Sequence, residues 1–155
     1  MEIRQPLRLS SSAIILQALE DNLSGCLISI DQPARDTIPG STHRMAETTI
    51  PNGCTPGWLI PERLRSRHQL HLGDSKVLLP GILIERQPIG IFLHDSLHTF
   101  AHQMFEYQAA WKSLEEGGLL LSDDILWSRA FYSFCRKNRR PFVMVAGSDF
   151  GGMRR

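Results

Sequence analysis

The sequence predicts an α/β chain built on a doubly wound, mostly parallel sheet, and three observations carry that expectation. Two apolar runs, Ile91-Phe92-Leu93 and Leu119-Leu120-Leu121, each stop just before acidic residues. Between them Leu97, Phe100, Ala101, Met104, Phe105, Ala109, Trp111 and Leu114 recur at a spacing that fits a helix with one buried face. Strand-like and helix-like segments alternate along most of the remaining chain, the pattern of parallel strands joined by crossover helices. Continuous apolar strands suit a sheet covered on both faces, and such sheets place ligands beyond the carboxyl ends of their strands. The expected ligand edge therefore holds Asp95, Asp123 and Asp124.

The elements follow in order. Ser10, Ser11 and Ser12 each suit the cap of a helix through Ile14, Ile15, Ala18 and Leu19, with Asn22 and Gly25 as its stop. Cys26 to Ile30 reads as a short buried strand with Asp31 just past its end, where a carboxylate either accepts two hydrogen bonds from a ribose diol or caps the next turn. Residues 32–61, broken by Pro33, Pro39, Gly40, Pro51, Gly53, Pro56 and Gly57, read as a long loop or lid insertion. Pro61 opens a short helix, Gln69 to Leu72 is a strand, and Gly73-Asp74-Ser75 turns into a helix bent or broken near Pro80-Gly81. After Gly117-Gly118 and the strand to Ser122 comes an aromatic segment, Trp127 to Asn138, with Ala130, Phe131, Phe134 and Cys135 at core spacing. Phe142 to Ala146 is a further strand, and Gly151 starts a last one that pairs back on it.

At 155 residues, with 42% hydrophobic and 21% charged residues, the chain is expected to form one domain over residues 1–155 with a sizeable core. A net charge of +1 gives no electrostatic reason to expect nucleic acid or an anionic membrane as partner. No apolar run reaches the roughly 20 residues of a membrane span, so a cytoplasmic protein acting on a small molecule is expected, with a homodimer as the candidate assembly. Cys26, Cys54 and Cys135 lack paired spacing and are expected to be reduced.

Two segments carry a family likeness. His94-Asp95-Ser96-Leu97-His98-Thr99-Phe100, followed by Gly117-Gly118-Leu119-Leu120-Leu121-Ser122-Asp123-Asp124-Ile125, resembles the fourth- and fifth-strand elements of class I S-adenosylmethionine-dependent methyltransferases. They resemble especially small bacterial members whose fourth strand ends in Asp-x-x-His. The resemblance implies a Rossmann-like fold with helices on both faces of the sheet, and S-adenosylmethionine as cofactor. It implies that Glu2, Ser11, Asp31, Gly73, Asp74 and His94 bind that cofactor, with Asp31 at the ribose and Gly73-Asp74-Ser75 beside the adenine. The first motif departs from the family, being shortened and glycine-poor: Arg4 and Arg8 stand where glycines are expected. Glycine serves such turns because it accepts positive φ and leaves room for the ligand.

On this resemblance the expected reaction is methyl transfer to a small-molecule hydroxyl, with Asp95 and His98 as catalytic residues. Asp95, Asp123 and Asp124 offer the hard oxygen ligands that Mg2+ prefers, and a bound metal would acidify and orient the acceptor hydroxyl. The competing reading makes Asp123 or Asp124 a helix cap and Asp95 a turn residue. His98 reads as a general base or as the partner of Asp95, whereas His102 reads as an ordinary helix residue. His94, His98 and His102, spaced by four, form a weaker transition-metal pattern. Two rival functions stay open: a non-catalytic member that has lost the cofactor through Arg4 and Arg8, and a metal-dependent hydrolase.

Overall fold

A computed structural model describes residues 10–32 and 54–155; Glu2, Arg4, Arg8 and most of the expected 32–61 loop lie outside the described residues. The chain divides into two units, Met1–Ser75 and Lys76–Arg155.

In the first unit α1, Ser10–Asp21, ends as its sequence requires. Leu23 and Gly25 take positive φ, and the amide of Ser24 donates back to the Leu19 carbonyl at 3.2 Å, closing the last turn. Strand β1, Leu27–Asp31, pairs in parallel with β2, His68–Leu72, so that Asp31 lies opposite Leu72. Leu16, Ile60 and Leu64 form a small buried cluster to which Leu19 and Leu27 add. The short helix before β2 is a 3-10 helix, Glu62–Arg67, with Pro61 at its cap rather than inside its first turn. Its tight i to i+3 pattern shows in the 2.9 Å bond from the Leu64 amide to the Pro61 carbonyl.

The second unit opens with α2, Ser75–Arg86, which runs unbroken through Pro80 against the expected break. Pro80 stands early enough that losing one amide, the partner of the Lys76 carbonyl, leaves the later turns intact. Strand β3, Ile89–His94, pairs in parallel with β4, Leu114–Ser122, and α3, Phe100–Ser113, connects them. Strand β4 starts at Leu114, five residues before the Leu119 start that the glycine pair suggested. Between the pairs Ile89 with Leu114 and Ile91 with Leu119, β4 bulges outward. Gly117 takes φ +81°, and a Cβ on Gly118 would stand 3.0 Å from the backbone oxygens of both Gly90 and Glu115, which explains the glycine pair. Helices α4, Ile125–Ser128, and α5, Ala130–Asn138, lead to β5, Phe142–Met144, and β6, Gly151–Arg154. The four-stranded order is β3-β4-β6-β5, with β6 antiparallel to both neighbours. The parallel expectation thus holds within the pairs β1–β2 and β3–β4, which lie in two separate sheets, and gives way to an antiparallel ending in the second.

The helix between β3 and β4 buries a different face from the one its apolar spacing predicts. Leu97 and Phe100 are 58% and 49% exposed, while α3 buries His102, Gln103, Glu106, Tyr107 and Ala110. Tyr107 joins Leu114, Leu120, Ile125, Ala130, Phe131, Phe134, Cys135 and Met153 in the core, as Trp127 to Asn138 spacing led one to expect for the α5 members.

That core sets an alkaline limit on stability. Burial pushes the Cys135 thiol up from 9.0 to about 11. Burial also raises the Tyr107 hydroxyl, opposed by its bond to Ser122 and reinforced by the nearby Glu106 and Cys135 charges. Both groups hold their protons longer in the folded chain, so their contribution is complete below the unfolded values and is lost as pH climbs. For Cys135 the window is from 9.0 to about 11 and the loss is at most about 2–3 kcal/mol. Urea unfolding at stepped alkaline pH should show this decline, and Cys135→Val should flatten it; an equal slope in the variant would assign the loss elsewhere.

Candidate active site

The carboxyl ends of β3 and β4 gather the polar side chains of the second unit. His94, the last residue of β3, is fully buried, and its carbonyl accepts from the Asp123 amide at 3.0 Å, which ties the acidic pair to the strand end. Asp124 takes a left-handed conformation, φ 50° and ψ 40°, and makes no side-chain cap bond to α4. The first amide of that helix, Ile125, goes instead to the Asp149 carbonyl at 2.9 Å. Freed from capping, the Asp124 Oδ2 lies 3.2 Å from His98 Nδ1. On the far side of the ring, His98 Nε2 lies 3.9 Å from Asp95 Oδ1. A non-glycine residue held at positive φ beside a histidine is the kind of local strain that clusters at working sites.

Behind this trio sits a second layer. Glu106 Oε2 meets His94 Nδ1 at 2.6 Å, and Glu106 Oε1 meets His102 Nε2 at 2.9 Å and the Ser96 hydroxyl at 3.0 Å. The His94 ring stands edge-on to both His98 and Tyr107, at 5.4 Å between centroids in each case. The Tyr107 hydroxyl bonds Ser122 Oγ at 2.7 Å, and Ser122 donates to the Asp123 carbonyl at 2.9 Å. Ser128 donates to Gln103 Oε1. Trp127, 76% exposed, tilts over His98 with its ring centroid 6.4 Å away.

In the first unit, Asp31 closes β1 and its carbonyl accepts from the Gly73 amide at 2.9 Å. Partial burial at the strand end raises the Asp31 carboxyl above its usual value, offset in part by the Gln32 amide. Gly73 takes φ 149°, a conformation that side chains rarely adopt, and Asp74 follows it into α2. Ser11 lies exposed in the first turn of α1.

A family model described as a methyltransferase domain matches residues 10–125, three quarters of the chain and parts of both units. The chain belongs to that methyltransferase family. Among solved structures, calicheamicin methyltransferase CalS11 superposes with a TM-score of 0.60 at 14% identity, covering 96% of this chain and 66% of its own. A Staphylococcus aureus protein described provisionally as a caffeoyl-CoA O-methyltransferase gives 0.52 at 8% identity, covering 99% and 84%. MycE, from mycinamycin biosynthesis, gives 0.49 at 15% identity over 57% of this chain. The chain spans 41% of the apo CalS11 chain and 31% of the MycE chain, under half of either. No curated protein sequence matches it. The fold is that of the class I S-adenosylmethionine-dependent methyltransferases, as the strand-end segments implied. Among the described residues no helix is long and apolar enough to cross a membrane.

For a methyltransferase-family chain, the residues around Asp31 fit a nucleoside: a carboxylate with two acceptor oxygens ends one parallel strand, bonded through its carbonyl to a glycine that ends the next. Glu2 lies outside the described residues. His94, expected at the cofactor, has its ring wholly buried and held by Glu106. Of the expected Mg2+ set, Asp95 and Asp124 both lie beside His98. Among the described residues no three His, Cys, Asp or Glu side chains are arranged to hold a metal ion, and the His98 ring stands between the Asp95 and Asp124 carboxylates. His102, expected to be an ordinary helix residue, is buried and bonded to Glu106. Glu106 and Gln103 escaped the sequence reading altogether, and Ser96 entered it only as a member of the strand-end element. The signal that could have found Glu106 is its place four residues after His102, on one helix face.

Proposed function

We propose that this chain carries the cofactor-binding and proton-accepting parts of a class I methyltransferase that O-methylates a small-molecule hydroxyl. The observation that supports this reading is His98 held between two carboxylates, 3.2 Å from Asp124 and 3.9 Å from Asp95. Bound S-adenosylmethionine would supply an electrophilic methyl group on sulfur. Asp31 holds the nucleoside through the ribose hydroxyls, with Gly73 and Asp74 beside the adenine. Asp95, the more exposed carboxylate of the pair, orients the acceptor hydroxyl. His98, fixed through Nδ1 by Asp124, takes the hydroxyl proton at Nε2, a buried nitrogen that acceptor binding must uncover, as the oxygen–carbon bond forms and the sulfur–carbon bond breaks, its electron pair returning to sulfur. The imidazolium left behind is stabilised by the two flanking carboxylates.

No step is assigned to Mg2+, since its expected ligands do not gather. Transfer should therefore survive EDTA, and strict dependence on added Mg2+ would replace the His98 route with a metal-assisted one.

The decisive measurements are calorimetric titration with S-adenosylhomocysteine, then transfer of labelled methyl from S-adenosylmethionine to a panel of catechols and hexoses. Saturable heat and labelled ether are expected. No heat and no thermal shift at millimolar cofactor would favour the non-catalytic alternative. Asp31→Ala should weaken S-adenosylhomocysteine about 10- to 100-fold, the worth of a charge-assisted pair at about 1.5–3 kcal/mol. Unchanged affinity would take Asp31 out of the ribose site.

A further inference from the structure

We propose that Glu106 is a positioning residue for this reaction, a buried hub that fixes the His94 ring and the turn bearing Asp95 and His98, and through them the orientation of His98. The inference rests on the base role given to His98 above.

A buried carboxylate on α3 is a poor choice for stability alone. Ion-pair and hydrogen-bonded charges in a core can often be replaced by apolar side chains of similar volume at no loss. Apolar residues were available: Leu97 and Phe100 remain largely exposed, while Glu106 is only 3% exposed. Both oxygens of Glu106 are engaged, and the three groups come from three different places. His94 ends β3, Ser96 lies in the turn between Asp95 and His98, and His102 belongs to the first turn of α3. One carboxylate therefore clamps both ends of the short segment that presents the proposed base.

The clamp also sets chemistry in the neighbouring ring. With Nδ1 of His94 directed at Glu106, the proton on that nitrogen is fixed, and His94 Nε2 is buried without a hydrogen-bond partner among the described residues. That ring faces His98 at an interplanar angle of 80°. The same residue accepts the Asp123 amide, so it links the turn to the segment carrying Asp124. Glu106 bonds His94 and Ser96 directly, and through them it reaches the turn that carries Asp95 and His98.

The test uses the full chain as wild type, Glu106→Gln and Ser96→Ala, with histidine rings labelled for long-range nitrogen–proton spectra. Glutamine keeps the shape but cannot accept at both positions. The expected result is displaced ring signals for His94 and also for His98, with S-adenosylhomocysteine affinity unchanged. Methyl transfer to whichever catechol or hexose is accepted should fall on the order of 100-fold in kcat with KM retained, as for a misplaced catalytic group. Glu106→Asp should recover part of that loss. A lower melting temperature with wild-type His98 signals and wild-type kcat would make Glu106 a packing residue and overturn the proposal. If Glu106→Gln does not fold, Ser96→Ala carries the comparison, since it removes one donor from an exposed turn; unmoved His98 signals there overturn the proposal equally. Displaced His98 signals in a wild-type background that transfers no methyl would sink the base role while leaving the positioning claim standing.

Discussion

His98→Gln should lower methyl transfer by about 10²–10⁴-fold, the usual worth of a positioned general base, or about 3–5 kcal/mol of barrier. Glutamine approximates the reach of the ring and can still bond Asp124 Oδ2, 3.2 Å from Nδ1 in the native chain, but it cannot take a proton at neutral pH. The fold and the nucleoside site should be untouched, because Asp31, Gly73 and Asp74 stand at the ends of β1 and β2. Asp124→Ala should give a smaller loss, since the ring keeps its place against His94 but loses the partner on Nδ1. A His98→Gln protein within a few-fold of wild type would transfer the base role to Asp95. Retained activity in a double His98→Gln, Asp95→Asn variant would reject the whole proton-accepting trio.

Tyr107→Ala should destabilise the chain by about 3–5 kcal/mol, a large part of the 5–15 kcal/mol typical of a domain. Tyr107 is fully buried and its ring packs against those of His94, Phe131 and Phe134, so truncation opens a cavity in the middle of the core. Tyr107→Phe isolates the hydroxyl. Its cost should be only about 1 kcal/mol, because Ser122 keeps its bond to the Asp123 carbonyl when the phenol is gone. Urea midpoints for the two variants give the comparison. Equal losses would mean that the Tyr107–Ser122 bond, not ring packing, holds α3 to β4.

The strands were legible because short continuous apolar runs that stop at acidic residues suit strands buried on both faces: Ile91-Phe92-Leu93 and Leu119-Leu120-Leu121 do pair in parallel, Ile91 opposite Leu119. The start of β4 was hidden because Glu115-Glu116-Gly117-Gly118 looks like a turn, whereas the glycines serve a bulge inside the strand. Apolar spacing misled at α3. It counts hydrophobic faces and has no measure of a polar face made buriable by mutual bonding, as His102 and Glu106 are. Asp123-Asp124 before an apolar run has the composition of a helix cap. The cap was supplied by a carbonyl 24 residues away in sequence, that of Asp149 to the Ile125 amide, which no local pattern could reveal. Asp95, His98 and Asp124 were legible as members of one strand edge, but the left-handed backbone that turns the Asp124 carboxylate to His98 instead of capping α4 left no local pattern.

The placement of β6 has a consequence for biosynthesis. It lies between β4 and β5 and is the partner through which β5 joins the sheet, with Leu119 pairing Arg154 and Val143 pairing Gly152. Until residues 151–154 have cleared the ribosomal exit tunnel, β4 presents a bare hydrogen-bonding edge and β5 has nothing to dock on. The sheet of this unit must therefore close after translation has passed it, and nascent chains stalled short of Gly151 should be the species that chaperones retain.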